Sequence, residues 1–472
     1  MVSSRGCVPD FSAHGLIYSS TCYCCTVDGK IQAIGSSPLP MPDSRSALPF
    51  VARTLMPREV QVNALMAVAL GALEGGMLGV IVKTGFDTAA PVLLVNLAVA
   101  LVSGAPALAN IASLGFANFA YGRRKTRWVA VLMALTAAST LLLATAPVSA
   151  FGLVWVTFWM IFARLCWCGV ITLRAAVWRA NFPRHVRATI TGRIAVTYSI
   201  LIALTAAGIG LAMEYDDRAW RVLFPLAGLL GLLAAWRYRS FTMRGQGRLL
   251  REEATTGSGR AIRLSDAIAV LREDRWYRRY MATMFLFGSG NLMVIALLVV
   301  ILTEQLGMGR LNQVLITTTV PLIAVALFTP FWAKRLDRMH VLEYRAVHSW
   351  TFVAAMLCFA PGAIFGLTWL FWLGALILGS AFAGGQLGWN LGHNDFSSDG
   401  RSTLYMAIHV TLTGVRGLFA PLLGIVLYQW LEHLEPGRGR YVVLLPLALT
   451  VAAACTFVVL ARLKRLELEL QQ

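Results

Sequence analysis

Acidic residues and lysines are both scarce in this chain: 23 aspartates and glutamates and five lysines among 472 residues. Charged residues make up 14% against 57% hydrophobic ones, and the mean hydropathy is +0.66. A soluble two-domain protein of this length needs far more charge on its surface, so that class is excluded. A disulfide framework is missing too. The eight cysteines are irregularly spaced: Cys166, Cys168, Cys358 and Cys455 lie in apolar runs, while Cys7, Cys22, Cys24 and Cys25 lie near the start without a histidine pattern beside them. No metal site is expected from them. No GxxxxGK[ST] loop is present to cradle a nucleotide's phosphates, which argues against an ATP-driven pump. The stretch HNDFSSDG at 393–400 gathers His, Asp and Ser, but in a short loop between apolar runs that lacks a hydrolase scaffold. The chain reads as no enzyme, and it needs no cofactor.

What the sequence does contain is apolar runs long enough to cross a bilayer, each about 20 residues or more. Twelve are expected, at 60–82, 91–119, 128–146, 150–176, 188–212, 219–238, 279–303, 311–332, 344–364, 367–391, 402–429 and 441–462. The fold class is therefore an all-α integral membrane protein. The net charge of +18 would suggest nucleic acid in a soluble chain. Here the charge sits in loops between the spans, so the expected partner is the lipid bilayer and not nucleic acid. Arg123, Arg124, Lys125 and Arg127 form a tight basic hinge after span two. Arg179–Arg193, the 239–278 connection, Lys334–Arg345 and the tail at 462–465 add positive charge on the same side. Short basic loops stay in the cytoplasm, so both termini are expected there, in a bacterial cytoplasmic (inner) membrane.

Domain boundaries follow from the same pattern. Residues 1–55 are rich in Ser, Pro and Gly, without the basic start and apolar core of a signal peptide, and read as a disordered tail or as a start codon placed too early. A six-helix bundle is expected over 56–239, a linker over 240–278, a second six-helix bundle over 279–465 and a short tail over 466–472. Within the linker, LSDAIAVLREDRWYRRY alternates at helical spacing and reads as an amphipathic helix on the membrane surface, with Arg272, Arg275, Arg278 and Arg279 near headgroups. A solvated helical linker is the alternative. The two halves share weak internal features. Gly115–Lys125 in the first half corresponds to Ala333–Arg338 in the second, and Trp178 with Asn181-Phe182 to Trp389 with Asn394-Asp395-Phe396. These matches suggest parallel repeats.

The hinge residues Gly115, Gly122, Arg123 and Arg124 match, at the right spacing, the G-x-x-x-D-R-x-G-R-R loop between spans two and three of the major facilitator superfamily, which this chain resembles over residues 58–465. Phe119 and Ala120 stand where that signature has Asp and Arg. The second half keeps Asp337-Arg338 but has His340 in place of the later glycine. The resemblance implies two six-helix bundles, parallel halves around a central cavity and alternating access for a small-molecule solute, with these loops as cytoplasmic gating elements. In the family the loop aspartate is thought to join a charge network latching the halves. With Phe119 in its place, either the latch is weakened or Arg123 and Arg124 find another carboxylate.

An ionisable residue deep in a span costs some 2.5–3.5 kcal/mol on insertion scales, so each is a functional candidate. Glu74 lies about 14 residues into span one, roughly 21 Å along it. It reads as a proton-coupling or substrate group, with a static Glu74–Arg164 pair as the alternative. Arg164 in span four and Arg416 in span eleven come from different halves, and together would clamp an organic anion. Arg416 equally suits a structural role, bonding carbonyls freed by Pro421 in a small-residue stretch. Asn96, Asn291, Gln386 and Asn390 are candidate cavity groups, and Trp155, Trp159 and Trp167 could stack a ring or simply pack. The expectation is a monomeric, proton-coupled transporter. A transporter-like protein acting as sensor or assembly partner is the reading from another class.

Overall fold

The structure, a computed structural model, describes residues 50–255, 264–397 and 401–470. The four N-terminal cysteines and most of the expected tail lie outside the described residues. Twelve helices are long and apolar enough to cross a membrane: Arg53–Gly85, Val92–Phe119, Lys125–Leu143, Ala150–Asn181, Ile190–Tyr215, Trp220–Tyr238, Arg275–Gln305, Arg310–Leu336, Val341–Phe365, Thr368–Asp395, Leu404–Leu434 and Arg438–Glu469. Each overlaps one expected span. A helix satisfies its own backbone, which is why apolar runs of this length take that form where water is absent.

Packing repeats with a shift of six spans. Span one packs on five and six, span three on four and six, and span two on four. Correspondingly, span seven packs on eleven and twelve, span nine on ten and twelve, and span eight on ten. These two parallel six-helix halves meet where two packs on eleven, five on eight, and seven on both one and two. The end of the molecule carrying the hinges after spans two, four, six, eight and ten is called the basic end below.

Three departures from regular helix matter for the site. Span one is two helices, Phe50–Ala72 and Gly75–Gly85, separated at Leu73-Glu74. Spans seven and eight each carry a π-helical turn, Ile301–Gln305 and Leu315–Thr319, a wide turn often found at functional positions. Span seven starts at Arg275, four residues before its expected start. Asp274 sets that boundary, because its side chain accepts from the Tyr277 N–H at 2.8 Å and caps the helix. The expected amphipathic helix is correspondingly shorter, Leu264–Glu273, and of the four arginines placed near headgroups only Arg272 belongs to it. Arg275, Arg278 and Arg279 open span seven instead. A further linker helix, Gln246–Thr255, was not anticipated.

Candidate functional site

The break in span one is built by its own residues and held by span four. Glu74 leaves the helical region (φ −71°, ψ 131°), so Leu73 and Glu74 interrupt the ladder, and the Leu73 carbonyl needs another donor. Arg164 supplies it: Nε donates to that carbonyl at 3.1 Å and Nη2 donates to it as well. The same Nη2 reaches Glu74 Oε2 at 2.9 Å. The arrangement suits the helix dipoles. A guanidinium sits at the carbonyl end of Phe50–Ala72, and a carboxylate opens the helix that begins at Gly75. The Arg164 side chain is 7% exposed and that of Glu74 is 27% exposed, so the cation is fixed while the carboxylate keeps a path to solvent. Trp167, one turn from Arg164, stacks on Tyr198 of span five with ring centroids 6.2 Å apart. Trp155 donates to the Leu142 carbonyl of span three at 2.8 Å, which makes it a packing anchor.

Asn96 does not join that group. It is buried at the end opposite the basic one, where Lys83 donates to its Oδ1 at 2.7 Å and its Nδ2 donates to Glu304 at 2.9 Å. Lys83 also pairs with Glu304, and Tyr428 of span eleven donates to the second Glu304 oxygen at 2.8 Å. Glu304 stands on the π-turn of span seven, so this network ties spans one and two to seven and eleven across the two halves. Beside it, Arg310 pairs with Asp217 at 2.6 Å and donates to Thr84 at 3.2 Å, and Glu214 accepts from the Leu311 N–H at 2.7 Å. Lys83, Glu214, Glu304 and Arg310 stand at or near span ends, where charge looks ordinary, and the sequence does not single them out. Their partners lie up to 226 positions away, and no local pattern signals that.

Arg416 makes its contacts within the second half. It is 3% exposed and donates to the Met284 carbonyl of span seven and to Thr413 Oγ1 at 2.8 Å, packed against Gly288. The carbonyl it bonds thus belongs to span seven, not to its own helix beside Pro421. The structure brings Glu74 and Arg164 together and gives Arg416 separate partners. Asn291 is buried, and its Oδ1 has no partner among the described residues. Asn390 is exposed and bonds the Gln386 carbonyl of its own helix at 2.9 Å. Neighbouring Trp389 bonds Thr413 at 3.0 Å and ties span ten to eleven. A second buried group, missed at the sequence level, lies nearer the basic end. Glu59, 1% exposed, accepts from Asn63 Nδ2 at 3.2 Å, and Arg174 donates to Asn63. Glu59 precedes the expected start of span one, so it did not register as intramembrane.

The hinge after span two replaces the missing aspartate in two ways. The Arg123 guanidinium lies 4.0 Å from the centre of the Phe119 ring, itself edge-on to Trp128 at 4.5 Å. Cation–π attraction thus links Arg123 to the residue that stands in the aspartate's place, and neither Arg123 nor Arg124 has an ion pair among the described residues. The carboxylate comes from the linker: Glu253 accepts from Lys125 at 2.8 Å and from the Gly122 N–H at 2.7 Å. Gly122 has φ +67°, a conformation that favours glycine. In the second hinge Asp337 and Arg338 are exposed at the end of span eight. His340 caps span nine through Leu342 N–H at 3.2 Å, and Asp395 accepts from Val341 N–H at 2.7 Å.

Two repeated six-helix halves, a broken first span and polar contacts joining the halves at one end define a multi-pass membrane protein with a transporter fold. The chain belongs to the Major Facilitator Superfamily, whose model matches residues 64–421. Among solved structures it is similar to the nucleoside transporter NupG (11% identity, TM-score 0.67, covering 86% of this chain and 98% of that one). It is also similar to the xylose transporter XylE from E. coli in its inward-open conformation (14%, TM-score 0.62, 86% and 95%). A POT family transporter in complex with a thioalcohol-conjugated peptide gives 12%, a TM-score of 0.63, and coverage of 90% and 99%. At these identities the likeness is one of fold. No curated protein sequence matches the chain.

Proposed function

We propose that this chain is a secondary transporter that moves a small solute, an organic anion, by alternating access, with proton coupling at Glu74. It works as a monomer in a bacterial cytoplasmic membrane, with the basic end and both termini in the cytoplasm. The observation that carries the reading is the break in span one, where a partly accessible carboxylate faces a buried arginine at 2.9 Å. Discontinuous helices at mid-depth are where carriers of several folds bind solutes and ions. A proton added at Glu74 Oε2 removes the negative charge that Arg164 pairs with. The guanidinium keeps the Leu73 carbonyl and turns its remaining donors toward the solute, so proton and anion binding favour each other. A proton-coupled fold relative, the D-xylose-proton symporter (TM-score 0.65, 13% identity), makes such coupling reasonable for this architecture.

The test is flux into proteoliposomes under an imposed pH gradient, across a panel of organic anions. Expected is accumulation by the wild type and, for Glu74→Gln, loss of gradient-driven accumulation with solute exchange retained. Absence of pH-dependent uptake of any solute, with Glu74→Gln fully functional in the cell, would sink the coupled-transport reading.

A further inference from the structure

In the first half and at the opposite end, buried cations have carboxylates in contact or close by: Arg164 has Glu74, Lys83 has Glu304, and Arg174 reaches Glu59 through Asn63. In the second half the balance fails. Arg345 of span nine and Arg416 of span eleven are 1% and 3% exposed. Among the described residues their hydrogen bonds reach no carboxylate. Arg345 reaches the Gly385 carbonyl at 3.3 Å and His348 Nδ1 at 3.4 Å, while Arg416 reaches the Met284 carbonyl and Thr413. The Nε of each arginine has no acceptor among the described residues, nor do both ring nitrogens of His409, Nδ1 of His393 and the hydroxyl of Tyr280 have partners there.

These groups form one cluster between spans seven, nine, ten and eleven. His409 lies within electrostatic reach of Arg416, Arg345 and His393, and Arg416 within reach of Arg345 and Tyr280. The Tyr280 and His409 rings meet edge-on at 6.3 Å. Span ten has a glycine where Arg345 crosses it, since a Cβ at Gly388 would fall 2.9 Å from the guanidinium carbon. An uncompensated cation in a low-dielectric interior is costly, and two near each other repel. Donors predominate among the unmet groups; Asp395, a carboxylate within electrostatic reach of His393, accepts from the Val341 N–H and bonds neither arginine.

We propose that Arg345, Arg416 and His409 form a binding site for a small oxyanion, a carboxylate or phosphate group, within the C-terminal half. Two guanidiniums offer forked donors that match the paired oxygens of such a group, and a dianion neutralises both. Arg345 lies near the start of span nine and Arg416 about 20 Å along span eleven, so the cluster extends inward from the basic end. The group belongs either to a soluble anion or to the phosphodiester of an anionic lipid. As a second place that holds the transported anion, besides Arg164, the site rests on the reading above; binding itself is measured without flux.

The experiment uses the purified full-length protein with inorganic phosphate and sulfate as probes, at constant ionic strength against chloride. Melting temperature and radiolabelled phosphate binding are followed in wild type, Arg345→Gln and Arg416→Gln. Expected is stabilisation of the wild type by phosphate, with binding weakened about tenfold or more in each variant. If the glutamine variants do not fold, Arg345→Lys and Arg416→Lys decide. They keep the charge and lose the fork, so phosphate binding weakens while melting in chloride stays near wild type. Nanodiscs of phosphatidylcholine alone or with phosphatidylglycerol separate the sources. A soluble occupant gives phosphate binding in both, whereas a lipid occupant blocks it in the second and is retained as one anionic lipid in native mass spectrometry. No stabilisation by phosphate or sulfate in either lipid, or binding unchanged in both arginine variants, overturns the site. Binding without flux would instead refute the carrier and leave the site standing.

Discussion

Arg164 serves two partners at once, a carboxylate and a carbonyl that an unbroken helix would have used itself. A lysine is a single point charge and cannot span both, so Arg164→Lys should reduce gradient-driven uptake by about tenfold or more while the protein still folds. Arg164→Ala also leaves Glu74 and the Leu73 carbonyl unpaired. Removing one partner of a fully buried pair costs about 3–5 kcal/mol, and less here because Glu74 is partly exposed, so a clear drop in melting temperature is expected. Sequence reasoning reached Glu74 and Arg164 because an ionisable residue stands out inside an apolar run. It passed over Arg345, which lies among the charges of the hinge after span eight, and His409, which lies in the first two turns of span eleven and carries no formal charge as a neutral imidazole. Only packing against Gly388 and Trp389 marks them as interior.

Among the elements, hydropathy was enough to place all twelve spans, since a helix crossing lipid has to carry its own signal along its whole length. The linker helix Gln246–Thr255 had no such signal. It is polar, and what positions it is Glu253 against a hinge about 130 residues earlier in the chain. Glu253→Ala should free that helix, and limited proteolysis should then cut the linker faster than in wild type at equal global melting temperature. The break in span one was equally hidden. GALEGGMLG suggests flexibility, but whether a glycine-rich run bends depends on a donor arriving from span four. The hinge signature was legible as a family mark, while its working contacts were not: Phe119 holds Arg123 by its ring face.

For the whole molecule, the described ion pairs between halves gather at the end opposite the basic one, as Lys83–Glu304 and Arg310–Asp217, while Thr319 of span eight donates to the Ala203 carbonyl of span five deeper in. Opening that end requires those ion pairs to separate. Cysteines at Thr84 and Arg310, whose side chains meet at 3.2 Å, should therefore lock it when bridged by a short thiol crosslinker. Transport is expected to stop on crosslinking and to return when a cleavable linker is reduced; continued transport would show that this end need not open. The unpaired arginines of the second half have an electrical consequence. A carrier that reorients with Arg345 and Arg416 uncompensated displaces positive charge relative to the membrane field, at about 2.3 kcal/mol per elementary charge for each 100 mV fully crossed. With an anion aboard, much of that charge is cancelled. The empty return stroke should then be the voltage-sensitive one, seen as a transient current on a solid-supported membrane that shrinks as the site fills.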